Sequence, residues 1–336
     1  HFAKSIERSE RVTLGFFVNP ADKKLNSSDL EQLDFSQYSI VQRFDDRTKP
    51  LPLRQIFSVG LSIPELMNAA NAAGYVSFVP EMDGVVRWVP TLMQHDEYMF
   101  PPLSLQVARE AVQSPLAVNI YEFGVEKMAL GEIPIPVKEN GDILINYYGP
   151  ALTFDHISAT DVLTGKVGQE ELSGKIVLVG ATAAGIHDIH TSPFGPLFPG
   201  VEIHANIMES ILQNDYLMRP EWLSILDLLM IAVSGLFLGL VSQKYKAYGA
   251  ATFLAFGMLG YLAFDFYLFT QKGLWVNTVY PIFTQLFVYS GLILYHFGFE
   301  QREKRFIKGA FSQYLAPTVV NQLVDNPDFL KLGGER

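Results

Sequence analysis

The sequence contains no cysteine among its 336 residues. This absence excludes disulfides, thiolate metal ligands and a cysteine nucleophile, and it suits an oxidising space without requiring one. Basic residues are also scarce: 25 Lys and Arg against 35 Asp and Glu give a formal net charge of −10. Because nucleic-acid binders need a basic surface to neutralise phosphates, this balance argues against a nucleic-acid partner.

Charges of either sign are sparse in the last third of the chain, where three apolar stretches follow one another. They cover residues 222–243, 248–270 and 274–297. An α-helix needs about 20 residues to cross the hydrocarbon core of a bilayer, so each stretch predicts a transmembrane helix. We therefore expect a folded domain over residues 1–215, three transmembrane helices, and a charged tail over residues 298–336.

The positions of Lys and Arg around these stretches predict the orientation in the membrane. Basic residues lie between the first two stretches and after the third, namely Lys244, Lys246, Arg302, Lys304, Arg305 and Lys308. Since basic residues favour the cytoplasmic side, the C-terminus is expected in the cytoplasm and residues 1–215 outside it. This predicts a multi-pass protein of the cell's inner membrane, in contact with lipid. An outer domain must be exported, so we expect a signal or anchor ahead of His1.

The first 215 residues alternate between strand and helix patterns and predict a mixed α/β domain. Strands are expected at residues 12–18 and 175–179 (KIVLV), the latter covered on both faces. Asp83-Gly84 and Asn140-Gly141 predict β-hairpins over residues 75–93 and 133–148, because these dipeptides tolerate the positive φ of tight turns. Residues 19–58 are polar and aperiodic and predict a long loop. Helices are expected at residues 2–11, 64–73, 103–112, 158–163 and 200–213.

Four sequence blocks resemble a known family. They are DGVVRWVPTL (83–92), PPLSLQVAR (101–109), INYYGP (145–150) and GKIVLVGATAAGIHDIHTSPFGPLFPGVEIHAN (174–206). In this order they resemble the CHASE type 2 extracellular sensor domain and cover most of residues 60–215. The resemblance implies an extracytoplasmic sensor for an unknown ligand, typically followed by three membrane spans.

The tail resembles a second type of segment. FIKGAFSQYLAPTVVNQLVDNPDFLKLGGER (306–336) is similar to the junction that precedes class III adenylate or guanylate cyclase domains. This resemblance implies a receptor adenylate cyclase whose catalytic domain would follow residue 336 and act as a homodimer on ATP with Mg²⁺ or Mn²⁺. No catalytic residue and no cofactor is expected within residues 1–336. A guanylate cyclase or a protein kinase output stays open as the alternative.

Candidate metal ligands cluster near the end of the outer domain: His187, Asp188, His190, Glu202 and His204. Imidazole and carboxylate at this spacing suit a zinc-like ion. The preferred interpretation is structural, with polar side chains fixing a loop. The preceding GATAAG (180–185) resembles a phosphate-binding turn but lacks the Gly-Lys-Ser/Thr of a P-loop, so a tight turn is preferred. A hydrolase built on Ser104 or Ser192 has no nucleophile-elbow motif to support it.

Two carboxylates lie inside the apolar stretches, where an ionised group is costly. Asp227 and Asp265 each lie about five residues from the expected outer end of their helix. The simpler interpretation is that they reach headgroup water or pair with Lys272 or Arg219. The alternative is that they form a polar contact coupling the helices to the sensor.

The start of the tail continues the third apolar stretch with good helix formers. Its apolar residues recur at helical spacing and form one stripe: Phe306, Ile307, Ala310, Phe311, Tyr314 and Leu315. A stripe of this kind packs along one side of a helix. Pairing with the same helix of a second protomer is preferred over lying on anionic lipid.

Overall fold

The computed structural model describes residues 1–19, 25–46, 49–182, 188–244 and 247–311. The chain divides into two compact units, His1–Met218 and Arg219–Arg336. The first contains both helices and strands and confirms the mixed α/β class.

The described helices and strands follow in chain order. The helices are α1 Phe2–Ser9, α2 Ser27–Leu33, α3 Pro64–Met67, α4 Leu103–Val112, α5 Ala159–Leu163, α6 Gln169–Leu172, α7 Gly200–Gln213, α8 Trp222–Lys244, α9 Ala247–Lys272 and α10 Val279–Phe311. The strands are β1 Thr13–Asn19, β2 Ile40–Arg43, β3 Arg54–Gln55, β4 Ser58–Gly60, β5 Ala72–Tyr75, β6 Trp88–Pro90, β7 Met93–His95, β8 Tyr98–Phe100, β9 Leu116–Tyr121, β10 Gly124–Leu130, β11 Ile133–Ile135, β12 Asp142–Leu144, β13 Ile189–Ser192 and β14 Gly195–Pro199.

The first sheet is built around β1, which lies between β4 and β5. β1 pairs with β5 in parallel and with β4 antiparallel. Its inward residue Phe16 is fully buried and packs edge-on against the rings of Tyr75 and Phe100. This aromatic core confirms the strand expected at residues 12–18.

A second sheet has the order β11-β10-β9-β2, with β2 parallel to β9. Alternate residues of β9 point into the core, in which Leu116, Val118 and Ile120 are buried. The prediction of a long loop over residues 19–58 was wrong, because α2, β2 and β3 lie within that range. These elements contain too few apolar residues to give a helix or strand pattern in the sequence. Pairing with distant strands determines where the strands form.

Both predicted hairpins were wrong in their pairing, although the turns form. Gly84 and Gly141 have φ of 81° and 80°, as tight turns require. However, β5 pairs with β1, and β6 pairs with β12 instead of with its chain neighbours. Turn residues fix a local reversal, whereas strand partners are selected by distant segments.

The prediction of a buried strand at residues 175–179 was also wrong. No strand is assigned there, and Val177 and Val179 are 55% and 88% exposed. An apolar run indicates burial only if neighbouring strands flank it, and none does within the described part of the chain.

The second unit contains α8, α9 and α10. Trp222–Val241 and Gly249–Lys272 are long and apolar enough to cross a membrane, whereas Val279–Tyr295 is apolar but shorter. The third helix starts at Val279, five residues later than residue 274, where it was expected. α10 then continues without a break through the charged residues to Phe311.

Candidate functional site

Three of the candidate ligands meet around the ring of Phe78. His190 lies on β13 and its ring contacts Phe78 edge-on at 5.0 Å between centroids. His204, on α7, contacts the same ring at 4.7 Å. His190 Nε2 also lies 3.3 Å from Asp188 Oδ1. The hairpin β13–β14 and helix α7 therefore bring Asp188, His190 and His204 together.

His204 is buried. It is 2% exposed, and its ring nitrogens make no well-formed hydrogen bond among the described residues, with the backbone of Val76 as a weak partner only. Burial lowers the pKa of His204 to about 4, although the nearby Asp188 charge and the backbone of Val76 oppose this effect. The ring is therefore neutral at physiological pH and acts as a packing group.

Asp188 lies over the first residue of α7. Its backbone carbonyl accepts a hydrogen bond of 2.9 Å from the amide of Gly200. A Cβ at position 200 would lie 2.1 Å from Asp188 Oδ1, so only glycine allows this close approach. A carboxylate at a helix N-terminus is stabilised by the helix dipole, which gives Asp188 a structural role.

Glu202 points away from the two histidines and fixes a loop. Its carboxylate accepts hydrogen bonds from the backbone amides of Leu152, Thr153 and Phe154, at 2.9, 2.8 and 3.4 Å. With its oxygens occupied in this way, Glu202 is not available to a metal beside His204. Among the described residues no group of three His, Cys, Asp or Glu is placed to hold a metal ion. His187 and residues 183–185 of the GATAAG turn lie outside the described residues.

An open groove on the first unit is not among the sites predicted from the sequence. Its volume is about 460 Å³, and its lining includes Arg43, Lys49, Gln94 and Glu97. Arg43 is fixed by two bonds to Asp45, of 3.0 and 2.7 Å. The dense charges of residues 43–47 (RFDDR) were the sequence feature that indicated a polar site here. They were assigned to no site, because this segment was expected to be a loop.

Asp227 and Asp265 lie in α8 and α9 and are bonded to uncharged residues. Asn277 Nδ2 donates to Asp227 Oδ2 at 2.8 Å, and Thr278 Oγ1 donates to Asp265. The described ion pairs include neither carboxylate, so pairing with Lys272 or Arg219 is not seen among them, and the Arg219 guanidinium stacks on Trp275 at 5.1 Å. Contact with headgroup water and coupling to the sensor stay predictions. The segment before α10, which the sequence assigned to the helix itself, supplies the partners.

The apolar stripe of the tail falls partly within α10. Phe306 is 77% exposed. Ile307, Ala310 and Phe311 lie in the helix, and Tyr314 and Leu315 lie outside the described residues. Pairing of this stripe with a second protomer stays a prediction.

The chain thus combines a mixed α/β domain with two helices that are long and apolar enough to cross a membrane. The family model of the CHASE2 domain matches residues 1–240. The chain therefore belongs to the CHASE2 domain family, and CHASE2 is an extracellular sensor domain of signalling receptors. The match includes residues 1–59, which the four sequence blocks do not cover, and extends into α8. No curated protein and no solved structure is similar enough to this chain to count as a match.

Proposed function

We propose that this chain is the sensory and membrane part of a receptor adenylate cyclase. In this proposal residues 1–215 lie outside the cell membrane and detect a ligand, three helices cross the inner membrane, and residues 298–336 lead to a dimeric cytoplasmic cyclase domain that converts ATP to cAMP with Mg²⁺ or Mn²⁺. Membership of the CHASE2 family supports the sensor, and the resemblance of residues 306–336 to a cyclase junction supports the output.

The continuity of α10 is the observation that carries the proposal. A single helix runs from the apolar Val279–Tyr295 to Phe311. Its apolar part has 17 residues, which is at the short end of what spans a bilayer. A continuous helix can transmit rotation or translation along its length, because a sharp kink needs a specific local cause such as an interrupted hydrogen-bond ladder. Such a helix could therefore carry a change at the membrane directly to a dimeric output domain.

The basic residues support the proposed orientation. Arg302 and its basic neighbours up to Lys308 follow the apolar part of α10, whereas Lys272 alone lies between the last two apolar stretches. Because basic residues favour the cytoplasmic side, the end of α10 is assigned to the cytoplasm and the sensor to the opposite side.

The test is cAMP production by the full-length parent protein, with and without residues 1–215, in cells lacking their own cyclase. Deletion is expected to change basal output and to abolish any response to outer-side stimuli. Equal output under all conditions would contradict the sensor role, and absence of cAMP from the intact protein would contradict the cyclase. Production of cGMP, or phosphorylation of a partner, would favour the guanylate cyclase or kinase alternative.

A helix-phase series tests the transmission step. Insertion of two residues after Phe297 rotates the following helix by about 200°, whereas insertion of seven rotates it by about two full turns and nearly restores the phase. We expect output to be lost with two and largely kept with seven. Equal effects of both insertions would show that α10 does not act as a rigid rod.

A further inference from the structure

A cluster of oxygen-bearing side chains lies where the three long helices of the second unit meet. Asp227 comes from α8, Tyr261 and Asp265 come from α9, and Asn277 and Thr278 come from the segment before α10. Tyr261 donates a hydrogen bond of 2.7 Å to the backbone carbonyl of Asn277, whose side chain donates to Asp227. Thr278 donates to Asp265, so the adjacent residues 277 and 278 each bond one of the two carboxylates.

The charge of this cluster is not balanced by protein groups. Asn277 and Thr278 are uncharged, and no ion pair among the described residues involves Asp227 or Asp265. Arg219, at the start of the unit, is stacked on Trp275. Two carboxylates with neutral partners in an apolar unit carry a desolvation cost that calls for a counter-ion.

Two buried oxygens also lack a bonding partner. Asp227 is 6% exposed, and its Oδ1 has no hydrogen bond among the described residues. Gln285 is 4% exposed and its Oε1 is likewise unbonded. Gln285 Oε1 faces Gly257, where an added Cβ would lie 3.7 Å from it, one helical turn before Tyr261. An unbonded buried acceptor is costly, so a native fold usually gives it a donor or an ion.

We propose that Asp227 and Asp265, with the oxygens of Asn277 and Thr278, form a binding site for a hard divalent cation such as Ca²⁺ or Mg²⁺. The donors are all oxygens, which such cations prefer over softer metals. One divalent ion balances the two negative charges, and Asp227 Oδ1 is free to bind it. Water completes the coordination, as is usual for sites with one or two carboxylates. The site would join three helices and is independent of the output domain.

The experiment uses the full chain purified in detergent and freed of metal with EDTA. Thermal unfolding is followed during titration with CaCl2 or MgCl2, against NaCl of equal ionic strength. A saturable rise in Tm with one of the divalent salts is the expected result. A rise that NaCl reproduces, or no rise at all, overturns the proposal, because a carboxyl group that is only protonated or hydrated does not respond to divalent ions.

Single substitutions test which carboxylates bind the ion. Asp227→Asn is expected to weaken the apparent affinity at least about tenfold and Asp265→Asn to a similar extent, since each removes a ligand charge. The matched control is Glu221→Gln, which removes an exposed carboxylate just before α8 and should respond as the parent does. If both Asp variants keep the parental response, the ion binds elsewhere and the proposal fails.

A second readout covers the case in which Asp227→Asn does not fold, as judged by circular dichroism. Tb³⁺ is a luminescent substitute for Ca²⁺, and Tyr261, which donates a hydrogen bond to Asn277, is placed to sensitise it. Luminescence that Ca²⁺ displaces, and that Asp265→Asn or Asn277→Ala reduces, supports the site. Luminescence that none of these changes alters contradicts it.

Discussion

Buried carboxylates in the two units are used in different ways. In the first unit Asp142, 4% exposed, accepts hydrogen bonds from Arg54 and Asn140, and Glu202 accepts three from backbone amides. In the second unit Asp227 is buried to a similar degree but has one neutral partner and one unbonded oxygen. A buried charge with all its bonds made stabilises a loop, whereas one with a free oxygen is available to bind a ligand or an ion.

The largest expected effect comes from removing the best-bonded of these carboxylates. Glu202→Ala should lower the free energy of unfolding by about 4 kcal/mol, because three amides lose a charged acceptor. Urea unfolding followed by circular dichroism measures the change. Glu209→Gln on the same helix is the control and should cost less than about 0.5 kcal/mol. Equal losses of unfolding free energy in the two variants would show that the bonds of Glu202 to the backbone amides are not what stabilises the fold.

The next effect is a dependence of stability on pH. His204 titrates at about 4 in the folded state and near 6.5 in the unfolded state. Because the unfolded state binds the proton more tightly, stability is complete above pH 6.5 and is lost as the pH falls towards 4. The difference between the two pKa values corresponds to about 3 kcal/mol.

Two variants test whether His204 causes this dependence of stability on pH. His204→Leu should flatten the loss of stability between pH 6.5 and 4, and His156→Gln, which changes an exposed histidine, should leave it unchanged. Urea unfolding at several pH values is the measurement. A slope that persists in His204→Leu would mean that other groups control the acid sensitivity.

A smaller effect is expected at the close approach between Asp188 and helix α7. Gly200→Ala should cost about 2 kcal/mol, because the added Cβ overlaps the Asp188 carboxylate. Combining it with Asp188→Ala should restore part of the loss. The control is Gly168→Ala, where a Cβ meets nothing nearer than 4.0 Å. Additive losses in the double variant would show that the overlap is not the cause.

The smallest effect is expected for an exposed ion pair. Lys166 lies 2.9 Å from Asp161, and the two side chains are 70% and 41% exposed. Solvent screens such a pair, so Lys166→Ala should change the free energy of unfolding by less than about 0.5 kcal/mol. A loss of unfolding free energy as large as that of Glu202→Ala would show that burial does not determine how much a charged group contributes to stability.

Local patterns predicted the positions of those elements whose own residues carry a clear apolar pattern. Helices α4 and α7 and strand β1 lie within a residue or two of the expected positions, because one apolar face defines each of them. The sequence also placed Asp188, His190, Glu202 and His204 in one group of candidate ligands. What spacing could not reveal is that Glu202, two residues from His204, faces residues 152–154, about 50 positions earlier.

The sequence by itself determined the division of the chain into a mixed α/β domain and a block of apolar helices, because composition and periodicity are local properties. It also carried the motifs of the CHASE2 family. Only the tertiary structure decided which strands pair, that residues 175–179 lie exposed, and that Asn277 and Thr278 are the partners of Asp227 and Asp265. Each of these depends on segments far apart in the chain, and no pattern within a single segment contains that information.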